Sequence, residues 1–243
     1  MNLLIDQGNT FCKIACIDAN DKIVYSAVHE AVTKQLLESL LKIHQPENAI
    51  LASVKDFDAG LVDFLKSNLK TFVKLGPDTP LPIRNEYASP QTLGYDRLAA
   101  AVGAWSQRPG KPLLVIDLGT AVTYDFVSKE GAFIGGNIAP GVRTRLKSLN
   151  DYTSNLPLVE PSNAFELLGN STESAILAGV MQGILFEING YMEALRLQHP
   201  DLFAFLTGGD LIYFDRKLKN GIFVDANLVA TGLNRILRHN VHS

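Results

Sequence analysis

Leu114-Val115-Ile116-Asp117-Leu118-Gly119-Thr120-Ala121 rewrites, 111 residues further on, the stretch Leu3-Leu4-Ile5-Asp6-Gln7-Gly8-Asn9-Thr10. In both copies a short apolar run ends in Asp, passes one residue, and reaches Gly and then a small hydroxyl or amide residue. An apolar run of this length predicts a buried strand. The Gly permits a tight turn and lets backbone N–H groups come close to an anion. An Asp at the strand end can hold a cation that neutralises the same anion. One such copy alone reads equally well as a strand followed by a Gly turn. The matched pair favours two loops that face each other and clamp a nucleotide triphosphate and its metal.

The duplication runs past the loops. After Asp6, Phe11–Asp18 and Ile23–His29 read as strands separated by the turn Ala19–Lys22; after Asp117, Ala121–Val127 and Ala132–Ile138 do the same around Ser128–Gly131. Each half then changes period. Leu36, Leu37, Leu40 and Leu41 predict a helix over Thr33–His44, followed by a strand at Ala49–Val54, a helix at Ala59–Leu69 and a short strand at Thr71–Leu75. The second half offers a long helix at Ser174–Leu197, a strand at Leu202–Leu206 running into Thr207-Gly208-Gly209-Asp210, and a closing helix at Asp225–Arg238. Meander, helix, strand, helix, strand is the ribonuclease-H-like order, used twice. The fold class is therefore α/β, two ribonuclease-H-like domains with a cleft between them. Arg108-Pro109-Gly110-Lys111-Pro112 marks the boundary, giving domains 1–110 and 111–243.

Composition narrows the function classes. The 243 residues are 47% hydrophobic and 19% charged, with a net charge of −3. That balance gives no electrostatic reason to expect nucleic acid or an anionic membrane as partner. Asp6 interrupts the first apolar run, so no leader pattern opens the chain, and no uninterrupted apolar run approaches the ~18 residues of a membrane span. The expected location is cytoplasmic. Cys12 and Cys16 share a strand face roughly 13 Å apart, too far for a disulfide, which predicts two buried reduced thiols. The five His residues show no ligand spacing. Neither Gly-x-x-x-x-Gly-Lys-Ser/Thr nor Gly-x-Gly-x-x-Gly occurs, so P-loop and Rossmann folds lack their fingerprints.

Two Asp-x-Gly loops and a late Thr-Gly-Gly-Asp resemble the sugar kinase, actin and Hsp70 superfamily, whose members bind ATP between two ribonuclease-H-like domains. Within it the details are similar to type III pantothenate kinase. The matching pieces are Asp6-Gln7-Gly8-Asn9-Thr10, Gly94-Tyr95-Asp96-Arg97, Asp117 through Asp125, Gly135-Gly136-Asn137-Ile138-Ala139-Pro140-Gly141, Gly169-Asn170-Ser171-Thr172 and Thr207 through Asp210. They stand in the family's order and span nearly the whole chain. The resemblance implies ATP-dependent phosphorylation of pantothenate, the first step of coenzyme A synthesis, by a homodimer.

It also implies roles. The nucleotide loop maps onto Asp6, Gln7, Gly8, Asn9, Thr10, Phe11, Cys12 and Lys13, with Thr120 contributed by the second loop. Lys13 is either a point charge on a phosphate or a solvated strand residue. Asp117 matches a monovalent-cation ligand for K⁺ or NH₄⁺, with Asp125 as the alternative. Asp6 is the more natural anchor for the Mg²⁺ that accompanies ATP, through water. Asp96, which by position alone reads as a helix N-cap or dipole partner, becomes the general base. Arg97 steadies either phosphate charge or the pantothenate carboxylate, and Tyr87 matches a pantothenate contact. Thr172 either caps the long helix, where Asn170 and Glu173 have capping-box spacing, or binds substrate, which the resemblance favours. That helix is apolar on more than one face, and the surplus suggests a subunit contact. The competing functions are a same-fold kinase for another small acceptor and a non-catalytic regulatory relative. The second predicts a damaged loop or base, whereas Asp6, Asp96, Asp117 and Thr120 are all present.

Overall fold

Leu3, Leu4 and Ile5 are buried together because β1 (Asn2–Gln7) is the central strand of its sheet and is covered on both faces. The computed structural model describes residues 1–8, 11–214, 217 and 221–241. By packing, the chain forms two compact units, Met1–Arg108 with Asn227–Ser243, and Pro109–Ala226.

In unit 1, β2 (Cys12–Ile17) and β3 (Ile23–His29) complete the antiparallel meander with β1. Helix α1 (Lys34–His44) leads to β4 (Asn48–Ser53), parallel to β1, and α2 (Ala59–Asn68) leads to β5 (Thr71–Lys74), parallel to β4. The order is β3-β2-β1-β4-β5. Side chains start both helices: Thr33 accepts from the Leu36 N–H at 3.2 Å and Asp58 from the Leu61 N–H at 2.9 Å. Leu37, Leu40 and Leu65 then pack on Leu3, Ile5, Ile14 and Leu51. Cys12 and Cys16 are buried free thiols in the same core. A two-residue strand, β6 (Arg84–Asn85), precedes helix α3 (Tyr95–Gln107).

Unit 2 repeats the plan. Its own strands β7 (Leu113–Leu118), β8 (Ala121–Val127), β9 (Ala132–Pro140), β10 (Phe203–Thr207) and β11 (Ile222–Val224) run β11-β10-β7-β8-β9, with the same parallel and antiparallel pairings. Even the irregularity recurs: the register shifts at Cys16/Ile17 in the first meander and at Phe126/Val127 in the second. This is the duplicated actin-like fold expected from the two loops. Helix α4 (Val142–Asp151) and the 27-residue α5 (Thr172–Gln198) complete this unit. Length and composition alone would let α5 cross a bilayer. Its Ile176, Val180, Met181, Ile184, Ile188 and Met192 instead fill the core against Leu114, Ile116 and Leu206.

The closing helix α6 (Leu228–Val241) differs from the sequence-based division, which assigned it to the second half. It belongs to unit 1 because two glycines let it lie directly on α3. A Cβ on Gly103 would meet the Leu228 carbonyl, and one on Gly232 the Ala99 carbonyl. On its other side Asn234 receives a hydrogen bond from Asn2 at 2.8 Å and donates to Asp21 at 2.7 Å. Arg235 and Arg238 pair with the same Asp21 at 3.1 and 3.0 Å. These contacts fix α3, and with it the placement of Asp96.

Candidate active site

The two Asp-x-Gly loops close in the same way. Gly8 N–H donates to the Phe11 carbonyl at 3.0 Å, and Gly119 N–H to the Ala121 carbonyl at 3.1 Å. The first loop spans one residue more, since Gln7 pairs with Cys12 whereas Leu118 pairs with Val122. Asn9 and Thr10, both expected to touch phosphate, lie outside the described residues. Phe11 is exposed beside the turn, and Cys12 is buried as the first residue of β2. Burial, then the Asp6 charge, push the Cys12 thiol up to about 12, with Lys55 opposing. A thiol held that high is not a nucleophile at neutral pH.

Asp6 is the last residue but one of β1, directly across from Lys13 on β2. Its carboxyl is raised to about 6, first by burial, then by the charge of Asp96, with Lys13 pulling it down. The structure therefore places two further sequence-selected residues of unit 1, Lys13 and Asp96, within electrostatic reach of Asp6. It also decides the local role of Asp96. Gly94 is the N-cap of α3 without a side-chain bond, and Asp96 stands in the first turn, accepting the Arg97 N–H at 2.8 Å. The Asp96 carboxylate folds back over Gly94, where an added Cβ would come within 2.5 Å of its oxygen. Arg97 is buried, with its guanidinium 5.7 Å from the centre of the Tyr87 ring. Tyr87 and Arg97, both selected as substrate contacts, thus share one cluster.

Tyr95 lines an open cavity of about 680 Å³ together with Ser53, Lys55, Asp56, Lys74 and Gly76. The cavity lies beyond the carboxyl ends of the parallel strands β4 and β5, the usual ligand position in such sheets. Ser53 joins its wall to the first Asp-x-Gly loop by donating to the Gln7 side chain at 2.8 Å. Sequence reasoning did not select Ser53, Lys55 or Lys74. The strand ends that carry them were the available signal.

In unit 2, Asp117 is the last residue but one of β7 and is only partly buried, flanked by Thr123 on β8 and Thr207 on β10. Asp125 is fully buried one step deeper, opposite Val115. The Thr123 hydroxyl is buried with no hydrogen-bond partner among the described residues. Thr207-Gly208-Gly209-Asp210 closes on this strand end, since a Cβ on Gly208 (φ 109°) would strike the Leu118 backbone. Among the described residues, no three His, Cys, Asp or Glu side chains gather into a metal-binding group. Single carboxylates at strand ends suit cations held mainly by phosphate, water, hydroxyls and backbone oxygens, as Mg²⁺ with a nucleotide is.

Thr172 is the first residue of α5 and exposed. The capping box there is Ser171 with Ser174, not Asn170 with Glu173: Ser171 Oγ accepts from the Ser174 N–H at 3.2 Å, and the Ser171 N–H donates to Ser174 Oγ at 2.9 Å. Ser171 has the extended backbone that a cap needs, which places Thr172 inside the helix and leaves the capping to others.

Comparison with known proteins agrees with this arrangement. A family model for type III pantothenate kinase matches residues 2–194. A type III pantothenate kinase of Bacteroides fragilis is 45% identical over 99% of this chain and 98% of its own. One from Phocaeicola vulgatus is 44% identical over 99% of both. In fold, the chain is similar to a glucokinase from an Antarctic psychrotroph, at 13% identity and a TM-score of 0.55 over 98% of each chain. With paired phosphate-type loops, an Asp-Arg helix start and end-to-end similarity to these relatives, the chain belongs to the type III pantothenate kinase family.

Proposed function

We propose that this chain transfers the γ-phosphoryl group of ATP to the primary hydroxyl of pantothenate, at the entry to coenzyme A synthesis, with Asp96 as general base. The observation that supports the residue-level reading is that the charge of Asp96 reaches Asp6, where it adds to burial, the larger cause, in raising the carboxyl. A base for the acceptor and an anchor for the metal of the donor must serve one site if one phosphoryl group is to pass between them.

A primary alcohol is a poor nucleophile at neutral pH, so Asp96 accepts its proton as the oxygen attacks phosphorus. Phosphoryl transfer passes through a loose transition state, and most of the catalysis is alignment and charge neutralisation. Gln7 to Lys13 and Thr120 hold the phosphates, with turn N–H groups other than those of Gly8 and Gly119, which close the turns themselves, as donors. Lys13, exposed and across from Asp6, adds a positive charge. Arg97 and Tyr87 hold the acceptor, with Gly94, Tyr95 and Thr172 completing its contacts. Asp6 is suited to Mg²⁺, which supplies charge neutralisation on the phosphates when bound. Asp117, the more accessible of the two candidate carboxylates, is suited to K⁺ or NH₄⁺.

The use of ATP argues for a cytoplasmic enzyme. Phe186 and Leu197, 61% and 88% exposed on α5, support a homodimer. A coupled assay of ADP release with pantothenate, with other small alcohols, and with no acceptor tests the proposal. Release that depends on pantothenate is expected. Release with another acceptor only, or no release at all, points to the same-fold kinase or the non-catalytic relative.

A further inference from the structure

Thr120 is the exposed tip of the second loop, and its carbonyl oxygen is held twice from one direction. The Gly141 N–H donates to it at 3.0 Å and the Thr144 hydroxyl at 2.8 Å. The contact is backbone on backbone, since a Cβ on Gly141 would strike the Gly119 and Thr120 carbonyls. Gly141 and Thr144 open α4, and the next residue of that helix ties it down. Arg145 Nε donates to the Pro140 carbonyl at 2.6 Å. The other guanidinium nitrogens form a two-pronged pair with Glu187 of α5 at 2.6 and 2.7 Å. The buried Tyr124 adds its hydroxyl to the same carboxylate at 3.2 Å. Both partners of the pair are mostly shielded, the side chains being 18% and 35% exposed. Arg145 in turn holds the Glu187 carboxyl below its ordinary range.

We infer that Thr144, Arg145 and Glu187 are positioning residues for the nucleotide: a relay from the core helix α5 through Arg145 and the Pro140–Gly141 backbone that fixes where Thr120 presents its hydroxyl. A two-pronged guanidinium–carboxylate pair is directional as well as strong, so it suits the task of setting a loop position. The ordinary surface pair on the same helix, Lys147 with Asp151 at 2.8 Å, joins two exposed side chains of α4 to each other and serves as the comparison. The inference rests on the reading of Thr120 as a phosphate contact.

Steady-state kinetics with ATP and pantothenate varied in turn test it. Thr144→Val, nearly isosteric, should raise the KM for ATP about two- to tenfold, the scale of one neutral hydrogen bond, with the KM for pantothenate unchanged. Thr144→Ser should restore it. Glu187→Gln should raise the KM for ATP by at least as much, since a charge-assisted pair is lost. Lys147→Ala should leave it unchanged. A KM for ATP that stays at the wild-type value in both Thr144→Val and Glu187→Gln, even with a lowered Tm, makes the network merely structural and overturns the inference. Thr120→Ala separates the two levels. If it raises the KM for ATP while the network variants do not, the inference alone falls. If it has no effect, the reading of Thr120 falls and takes the inference with it.

Discussion

Asp6→Asn should make the protein more stable at neutral pH while removing its grip on metal-bound nucleotide. Burial first, then Asp96, carry the Asp6 carboxyl from 3.8 to about 6 against the pull of Lys13. At about 1.4 kcal/mol per tenfold in proton affinity, holding Asp6 ionised costs the folded chain about 3 kcal/mol at pH 7. The sign follows from the direction of the shift. Between 3.8 and about 6 the folded state binds more protons than the unfolded one, so stability falls as pH rises through that window. Below the window both states are protonated and the cost disappears; above it the cost is complete. Asparagine carries no charge at any pH but keeps a polar amide to desolvate. The variant should therefore gain about 1–3 kcal/mol at pH 7, a rise of about 2–10 °C in Tm, and gain little near pH 4. Thermal unfolding of ligand-free protein from about pH 4 to 8, with calorimetric titration of Mg–ATP, reads both effects. Equal melting temperatures at pH 7, or a gain that is the same at pH 4, would refute the reasoning. Retention of a destabilising carboxylate is the pattern expected of a site kept for its ligand.

Other outcomes follow from the same geometry. Gly8→Val and Gly119→Val should each abolish ATP binding in calorimetry and leave folded protein, since a Cβ meets its nearest neighbour at 3.3 and 3.4 Å respectively, tight but tolerable; normal affinity in either variant removes that loop from the phosphate site. Activity should require K⁺ or NH₄⁺ as well as Mg²⁺, so equal rates in sodium-only and potassium buffers would remove Asp117 as a monovalent-cation ligand. Gly94→Ala should lower turnover with little loss of stability, because its Cβ displaces the mobile end of Asp96 and no backbone; unchanged turnover would show that the observed placement of the carboxylate does not matter.

Much of the fold was legible because each half states its period plainly. The apolar runs ending at Asp6 and Asp117, the turns at Ala19–Lys22 and Ser128–Gly131, and the leucines of α1 all lie where the chain alone puts them. Helix α4 was not read, because Arg143-Thr144-Arg145 and Lys147-Ser148 dilute an apolar stripe reduced to Val142, Leu146 and Leu149. Strand β11 has only three residues, too few for a period. The home of α6 was also hidden. It depends on Gly103 and Gly232 meeting carbonyls across two helices 129 positions apart in the chain, and a glycine inside a helix carries no address. At the site, the residue types in the motifs were legible, whereas their company was not. The chain shows Asp6 and Asp96, Tyr87 and Arg97, but only folding shows that each pair shares a neighbourhood. The capping of α5 turned on a choice among adjacent polar residues that backbone angles made in favour of Ser171.

The central claim is that Asp96 takes the proton from pantothenate, and turnover of Asp96→Asn tests it most directly. The substitution keeps shape and leaves the first turn of α3 an oxygen that can still accept the Arg97 N–H, while it removes the basic charge. Pantothenate-dependent ADP release should fall by about 10²–10⁴-fold, the range typical of a lost general base, with ATP affinity and Tm nearly unchanged. A purely structural Asp96, a carboxylate in the first turn of α3, would instead show in Asp96→Ala a stability loss of about 0.3–1 kcal/mol and near-normal chemistry. Wild-type turnover in Asp96→Asn would contradict the assignment.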